Sequence, residues 1–208
     1  MEEKIIKILD NWKKRNIEGV YCPDKVAAQE KIISLIPETS SVGISGSKTL
    51  DELGVVSELE TRGSLVYNQY KQGLSRDESL MLRNKGAQAD FFLSSANAVA
   101  ESGELIFLSA FGHRIAGIAN AKRCILAIGK NKITSDLNLA FKRARNYATP
   151  LNCRRLKYAS ACAEDSVCHY DQCLPSDYKR MCCQLLVIEA EISPGRLTAI
   201  IVGEELGF

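Results

Sequence analysis

Between residues 89 and 108 the chain runs apolar, turns, and runs apolar again. Residues 89–93 lead into Ser94-Ser95-Ala96-Asn97-Ala98-Val99-Ala100-Glu101-Ser102-Gly103-Glu104, and residues 105–108 lead out. Two strand-like segments thus flank a turn of small residues carrying one amide, Asn97, and one carboxylate, Glu101. Open α/β sheets place their ligands in turns at the ends of buried strands. This segment therefore points to a small-molecule site more than to a scaffold.

The rest of the chain alternates strand and helix signals. Ile5, Ile6, Leu9 and Trp12 recur at helical spacing, which predicts a helix over 2–18. Pro23 and Asp24 open a second helix over 24–36, with Pro37 after its end. Strands are predicted over 41–45, 65–67, 89–94, 104–109 and 123–128. Helices are predicted over 49–62, over 76–88 from the cap candidate Ser75, briefly from His113, and over 135–147 with Ser135 as N-cap and Pro150 as breaker. This alternation argues for an α/β fold with a mainly parallel central sheet flanked by helices. With 208 residues, one domain is expected over 1–208. Its parts are N-terminal helices (1–37), a core (38–158), a cysteine-rich insert (159–183) and a C-terminal β-hairpin (184–208). The hairpin signal is two β-rich stretches, 184–192 and 197–203, joined by Ser193-Pro194-Gly195.

Charge and hydropathy exclude several classes. A net charge of +2 with no long basic run speaks against nucleic acid as a partner. No stretch approaches the roughly 20 apolar residues of a membrane span, and the start Met1-Glu2-Glu3-Lys4 has no apolar signal core. A cytoplasmic location is expected, in which the eight cysteines stay reduced or bind metal. Trp12 and its helix offer an apolar face for packing on the same chain or, in a homo-oligomer, on a second copy.

Three constellations could carry chemistry. The first is Gly46-Ser47-Lys48-Thr49, between a short apolar run and a helix. Unpaired amides and the dipole at a helix start favour anions, and Lys48 with the Ser47 and Thr49 hydroxyls would add contacts. It is not a nucleotide P-loop, since Ser41 stands where the first glycine would fall and Gly46 is followed by Ser47. The second pairs the Asn97–Glu101 turn with Ser109-Ala110-Phe111-Gly112-His113-Arg114. Here Glu101 is a candidate base or nucleophile, Asn97 a donor to a developing oxyanion, His113 a further catalytic candidate, and Arg114 a clamp for carboxylate or phosphate. The third is the cysteine cluster. Cys162, Cys168, Cys173, Cys182 and Cys183 are spaced C-x5-C-x4-C-x8-C-C, with His169 among them. Thiolates in a reducing compartment favour zinc or an iron–sulfur cluster, with Cys162, Cys168, Cys173 and Cys182 as ligands. Lys130-Asn131-Lys132, Arg143, Arg145, Arg154 and Arg155 read as a solvated basic face. Phe91, Phe92, Phe107 and Phe111 read as core.

Taken together and in order, Val42-Gly43-Ile44-Ser45-Gly46-Ser47, residues 89–105, Gly112-His113-Arg114-Ile115-Ala116, Ile128-Gly129-Lys130-Asn131-Lys132-Ile133, Ala148-Thr149-Pro150-Leu151-Asn152 and Val202-Gly203-Glu204-Glu205-Leu206-Gly207-Phe208 resemble the LUD-domain family, named for lactate utilisation. The resemblance implies a NagB/RpiA/CoA-transferase-like fold, a link to lactate and pyruvate metabolism, and an iron–sulfur redox protein as a neighbour or partner. The Asn97 turn also looks like the Gly-Ala-Asp turn of the related sugar-phosphate isomerases, with Asn97 where their proton-transferring aspartate stands. An amide is no general base, so isomerase chemistry would need Glu101 as a substitute. The expected function is binding of a small anionic metabolite, an organic acid or a sugar phosphate. The competing expectation is a non-catalytic metal- or iron–sulfur-binding accessory in electron transfer.

Overall fold

The computed structural model describes residues 2–169, 173 and 180–208. Ten strands form two sheets among these residues. The strands are β1 (Glu18–Cys22), β2 (Ser41–Ile44), β3 (Leu65–Tyr67), β4 (Phe91–Ser94), β5 (Ala98–Ala100), β6 (Leu105–Ser109), β7 (Arg123–Gly129), β8 (Ile133–Thr134), β9 (Gln184–Ile188) and β10 (Leu197–Val202). The main sheet has the order β1-β10-β7-β4-β2-β3, and every pairing in it is parallel. The smaller sheet, β8-β5-β6-β9, is mixed. The expected α/β class, with a mainly parallel sheet between helices, is what the chain adopts.

The apolar runs explain the layering. A strand presents successive residues to opposite faces, and β7 is buried on both. Cys124, Leu126 and Ile128 enter one core with Trp12, Phe92 and Phe107. Ile125 and Ala127 enter the other, with Ile32, Leu50 and Leu59. The second core is covered by α2 (Lys25–Leu35), α3 (Lys48–Leu53) and α4 (Val55–Thr61). The first is closed by α1 (Glu2–Lys14), α6 (His113–Asn120) and the smaller sheet. α5 (Arg76–Ala87) crosses β2 so closely that a Cβ at Gly43 would lie 2.0 Å from the Gly86 carbonyl oxygen. Phe91, Phe92 and Phe107 are core as expected, whereas Phe111 is 63% exposed.

Several local expectations are corrected. The first helix stops at Lys14, where Asn16 takes a left-handed conformation (φ 55), and the chain goes on as edge strand β1. The 49–62 helix is two helices, divided at Gly54 in the αL region. Asp136, not Ser135, caps α7 (Leu137–Arg143), accepting from the Leu139 N–H at 2.9 Å. Pro150 does not break that helix. A π turn, Ala144–Ala148, carries it into α8 (Thr149–Arg155), where the proline sits in the first turn and its missing N–H costs nothing. Both C-terminal strands form, but not as a mutual hairpin. β9 pairs with β6 in the smaller sheet, while β10 inserts between β1 and β7 in the main one. Its six consecutive buried residues suit a central parallel strand. The cysteine-rich insert includes α9 (Cys162–Asp165), and part of it (170–172 and 174–179) lies outside the described residues.

Candidate functional site

All strands of the main sheet run the same way, so the segments leaving β2, β4, β7 and β10 emerge at one end. They deliver Gly46 to Thr49, Ser95 to Asn97, Lys130 to Lys132, and Leu206 to Phe208. This is where open α/β sheets bind ligands.

A small polar cavity of about 40 Å³ lies there, lined by Gly46, Ser47, Lys48, Thr49, Ser95, Ala96, Asn97, Arg114, Lys132, Ala148, Asn152 and Phe208. Lys132 is its centre and is only 4% exposed. Its Nζ contacts Thr49 Oγ1 at 2.7 Å and Ser95 Oγ at 2.8 Å. Thr49 in turn donates to the Leu206 carbonyl at 3.3 Å, and Ser95 reaches Thr49 Oγ1 and the Ala96 carbonyl. No carboxylate among the described residues forms an ion pair with Lys132. Burial, with Arg143 and Arg114 adding like charge, holds its amine well below the ordinary lysine range, and Glu52 opposes this. The terminal segment seals the cavity. Gly207 N–H donates to Glu52 Oε2 at 2.7 Å, and Asn131 brackets Leu206 N–H and the Gly207 carbonyl at 3.1 and 3.2 Å. Position 207 has φ +61, and a Cβ there would lie 2.5 Å from Thr49 Oγ1, so only glycine fits.

A larger cavity of about 380 Å³ adjoins the first and shares Gly46, Ser47, Asn97, Arg114 and Asn152 with it. Arg114 stands between the two. Its guanidinium donates to Asn97 Oδ1 (3.2 Å), the Leu108 carbonyl (3.2 Å) and the Gly46 carbonyl (2.6 Å), tying three segments together. Asn97 Oδ1 also accepts from Leu108 N–H at 2.9 Å, and no side-chain N–H of Asn97 has a protein partner among the described residues. His113 lines the larger cavity. Tyr70 Oη accepts from Gly46 N–H at 2.6 Å and also hydrogen-bonds His113 Nε2 at 3.1 Å, with the donor set by the imidazole tautomer. The other ring nitrogen, Nδ1, is buried with no partner among the described residues. Burial, then Arg114 and Arg83, push the imidazole down to about 4, so it is neutral at neutral pH. Arg83 also lines this cavity and lies over the Phe111 ring at 5.6 Å.

The structure thus brings Gly46, Ser47, Lys48, Thr49, Asn97, His113 and Arg114 together. Ser47 acts as the α3 cap, accepting from Leu50 N–H at 3.3 Å. The Gly54 break leaves α3 six residues long, so its dipole is small. Lys48 is half-exposed and 3.7 Å from Glu52. Glu101 is not brought to the others and lines neither cavity. Its carboxylate pairs with Lys4 at 2.8 Å and Lys7 at 3.2 Å, which hold it below the usual carboxylate range. It is a docking point for α1, not an available base.

Lys132 and Ser95 are the residues that sequence reasoning missed. From sequence alone Lys132 reads as part of a solvated basic face. The signal that singles it out is position, three residues beyond the Gly129 that ends the buried strand β7. Arg143 of the same expected face is also turned inward, with Nε donating to the Asn131 carbonyl at 3.0 Å and Nη1 to the Asn97 carbonyl at 2.5 Å.

The cysteines present a different picture. Cys162, Cys168, Cys173 and Cys182 line one closed cavity of about 10 Å³. Burial raises the Cys168 and Cys173 thiols and pushes Cys153 up to about 12. Among the described residues no three His, Cys, Asp or Glu side chains form a set that could hold a metal ion. His169 pairs with Asp165 at 2.7 Å instead. The metal and iron–sulfur expectation therefore has no support from the arrangement.

A family model described as the LUD domain matches residues 5–202. The chain belongs to the LUD-domain family. That family is associated with lactate utilisation. Among solved structures, the chain is similar to a DUF162 family protein from Deinococcus radiodurans, at 11% identity and a TM-score of 0.56 over 97% of both chains, a likeness of fold alone. Ribose 5 phosphate isomerase A from Neisseria gonorrhoeae is a weaker match, at 15% identity and a TM-score of 0.36 over 54% of each chain, too slight to bear on activity. No curated protein sequence matches. No helix among the described residues is long and apolar enough to cross a membrane.

Proposed function

We propose that this LUD-domain chain binds a small anionic metabolite, an organic acid or a sugar phosphate, at the strand ends. The anionic group sits near Arg114 and Lys132, and the body of the ligand extends into the larger cavity beside Tyr70 and His113. The observation that carries this reading is the burial of Lys132 between two hydroxyls with no carboxylate paired to it, while Arg114 and Arg143 add positive charge nearby. Arg114 lines the small cavity with a buried guanidinium, buried charge is normally neutralised by a partner, and an anion entering the cavity beside the Lys132 amine would be that partner. The small cavity suits a carboxylate or carbonyl group, and the larger is within the usual size of metabolite sites.

The test is a panel of short organic acids and sugar phosphates assayed by thermal shift and calorimetry. At least one is expected to raise Tm in a concentration-dependent way, since a ligand of the native state adds to its stability. Lys132→Met should lose affinity by about tenfold or more, equal to about 1.4 kcal/mol. It should change the unliganded Tm little, because methionine fills the buried space and the Thr49 and Ser95 hydroxyls keep partners in the Leu206 and Ala96 carbonyls and in each other. A panel with no stabilising anion, or a Lys132→Met chain that binds like wild type, would sink the proposal.

A further inference from the structure

We infer that Lys132 is a nucleophile toward carbonyl carbon and that the ligand is an anion bearing a keto or aldehyde group, with which Nζ forms an imine. This rests on the anion-site reading above and names its substrate class.

The argument begins with hydrogen-bond bookkeeping. Thr49 Oγ1 and Ser95 Oγ lie 2.7 and 2.8 Å from Nζ. The Thr49 proton is directed to the Leu206 carbonyl, and the Ser95 proton has Thr49 Oγ1 or the Ala96 carbonyl. Both hydroxyls are therefore acceptors from the lysine, and they use two N–H groups. Burial and the neighbouring Arg143 and Arg114 guanidiniums favour the neutral amine, which has two N–H groups and one lone pair, where an ammonium would have a third N–H. In that neutral form the lone pair is left over, on a side chain that lines the small cavity. Lysines become nucleophilic when desolvated or set beside other cations, and here Arg114 and Arg143 supply that second condition. The shared wall of the two cavities offers Arg114 to an anionic group while the carbonyl meets Nζ.

The chemistry balances without a co-reactant. The Nζ lone pair attacks the carbonyl carbon, and one amine proton passes to the carbonyl oxygen, giving a carbinolamine. Loss of the hydroxyl with a second proton releases one water and leaves the imine. Ser95 and Thr49 stand at the nitrogen to relay those protons.

The test incubates the full wild-type chain with 2-oxobutyrate, with glycolaldehyde phosphate, and with 2-hydroxybutyrate as the same acid lacking the carbonyl. Each mixture is reduced with cyanoborohydride, followed by intact mass and peptide mapping. A single saturable adduct on Lys132 from one of the carbonyl anions, ahead of every exposed lysine and absent with 2-hydroxybutyrate, is expected. The identity of the reactive probe separates a 2-oxo acid from a sugar phosphate. Anions that raise Tm without any adduct on Lys132 would overturn the imine and leave the binding reading standing. Neither a Tm rise nor an adduct would overturn both. Adducts spread over exposed lysines would also overturn the imine. Lys132→Arg should abolish the adduct, and because the mapping is done on the wild-type chain the result stands even if that variant folds poorly.

Discussion

Asn97 and Glu101 stand four residues apart and serve different parts of the molecule. Between them runs β5, at about 3.3 Å per residue, so the two ends of the segment are about 13 Å apart. At one end, Asn97 Oδ1 collects the Leu108 N–H and Arg114 on the wall of both cavities. At the other, Glu101 is clamped by Lys4 and Lys7, Asn11 donates to its carbonyl at 2.9 Å, and Trp12 Nε1 donates to Gly103 at 2.8 Å. One short strand therefore links a cavity wall to a helix dock. A polar residue in a turn beside a buried strand is a site residue only if the turn opens at the end of the sheet where the other loops converge.

Breaking the dock should cost the most stability and leave the site chemistry in place. Trp12 is fully buried in the core beneath the turn. Trp12→Ala is expected to lower unfolding free energy by about 3–5 kcal/mol, read by chemical denaturation. Ligand affinity per folded molecule should hold. A large loss of affinity would show that the two ends are coupled.

Breaking the wall should do the reverse. Asn97→Leu leaves the Leu108 N–H and one Arg114 bond without an acceptor, costing about 1–3 kcal/mol. It should also weaken anion binding, because Arg114 loses a fixed orientation. Asn97→Asp keeps the acceptor and the fold but sets a carboxylate against Arg114, so anion binding should fall with little change in Tm. Unchanged affinity in both variants would remove Asn97 from the site.

The wall also carries a pH signature of its own, set by a buried imidazole. His113 is held to about 4 in the folded chain against an ordinary 6.5. Between those values the unfolded chain binds the extra proton and the folded chain does not. Stability therefore falls as pH drops from 6.5 toward 4. His113→Gln should flatten that part of a Tm–pH profile. An unchanged slope would mean that His113 protonates freely in the folded chain.

Much of this was legible in the sequence, because buried parallel strands read as apolar runs. β2, β4 and β7 are such runs, the antiparallel β6 is buried and apolar as well, and the loops after β2 and β4 are marked as candidate sites by glycine and small polar residues. The rest depends on partners distant in sequence. Lys132 looks like any surface lysine until β4, α3 and the terminal segment close over it. Glu101 looks like a base until α1 packs against it with two lysines. β9 and β10 looked like a hairpin because they are adjacent and β-rich, yet each found a better-buried neighbour elsewhere. The density of cysteines along the chain suggests ligands, and four of them do line one small cavity, but a metal site also needs side chains at fixed distances, and no such group of three occurs among the described residues.

The smallest expected effect falls at Glu101, and it sharpens the comparison most. Its ion partners are half-exposed, and exposed pairs contribute little and are screened by salt. Lys4 and Lys7 hold the folded carboxylate below its ordinary value. Its contribution is therefore fully present above the unfolded value of about 4.3 and is lost as pH falls through the folded one. Glu101→Gln should lower Tm slightly at neutral pH in low salt, match wild type in high salt, and converge with it in acid. Ligand binding and any adduct on Lys132 should be unchanged, because the carboxylate lines neither cavity. If Glu101→Gln instead abolished the adduct while leaving Tm alone, the carboxylate would be serving the reaction, and the division between dock and wall would be wrong.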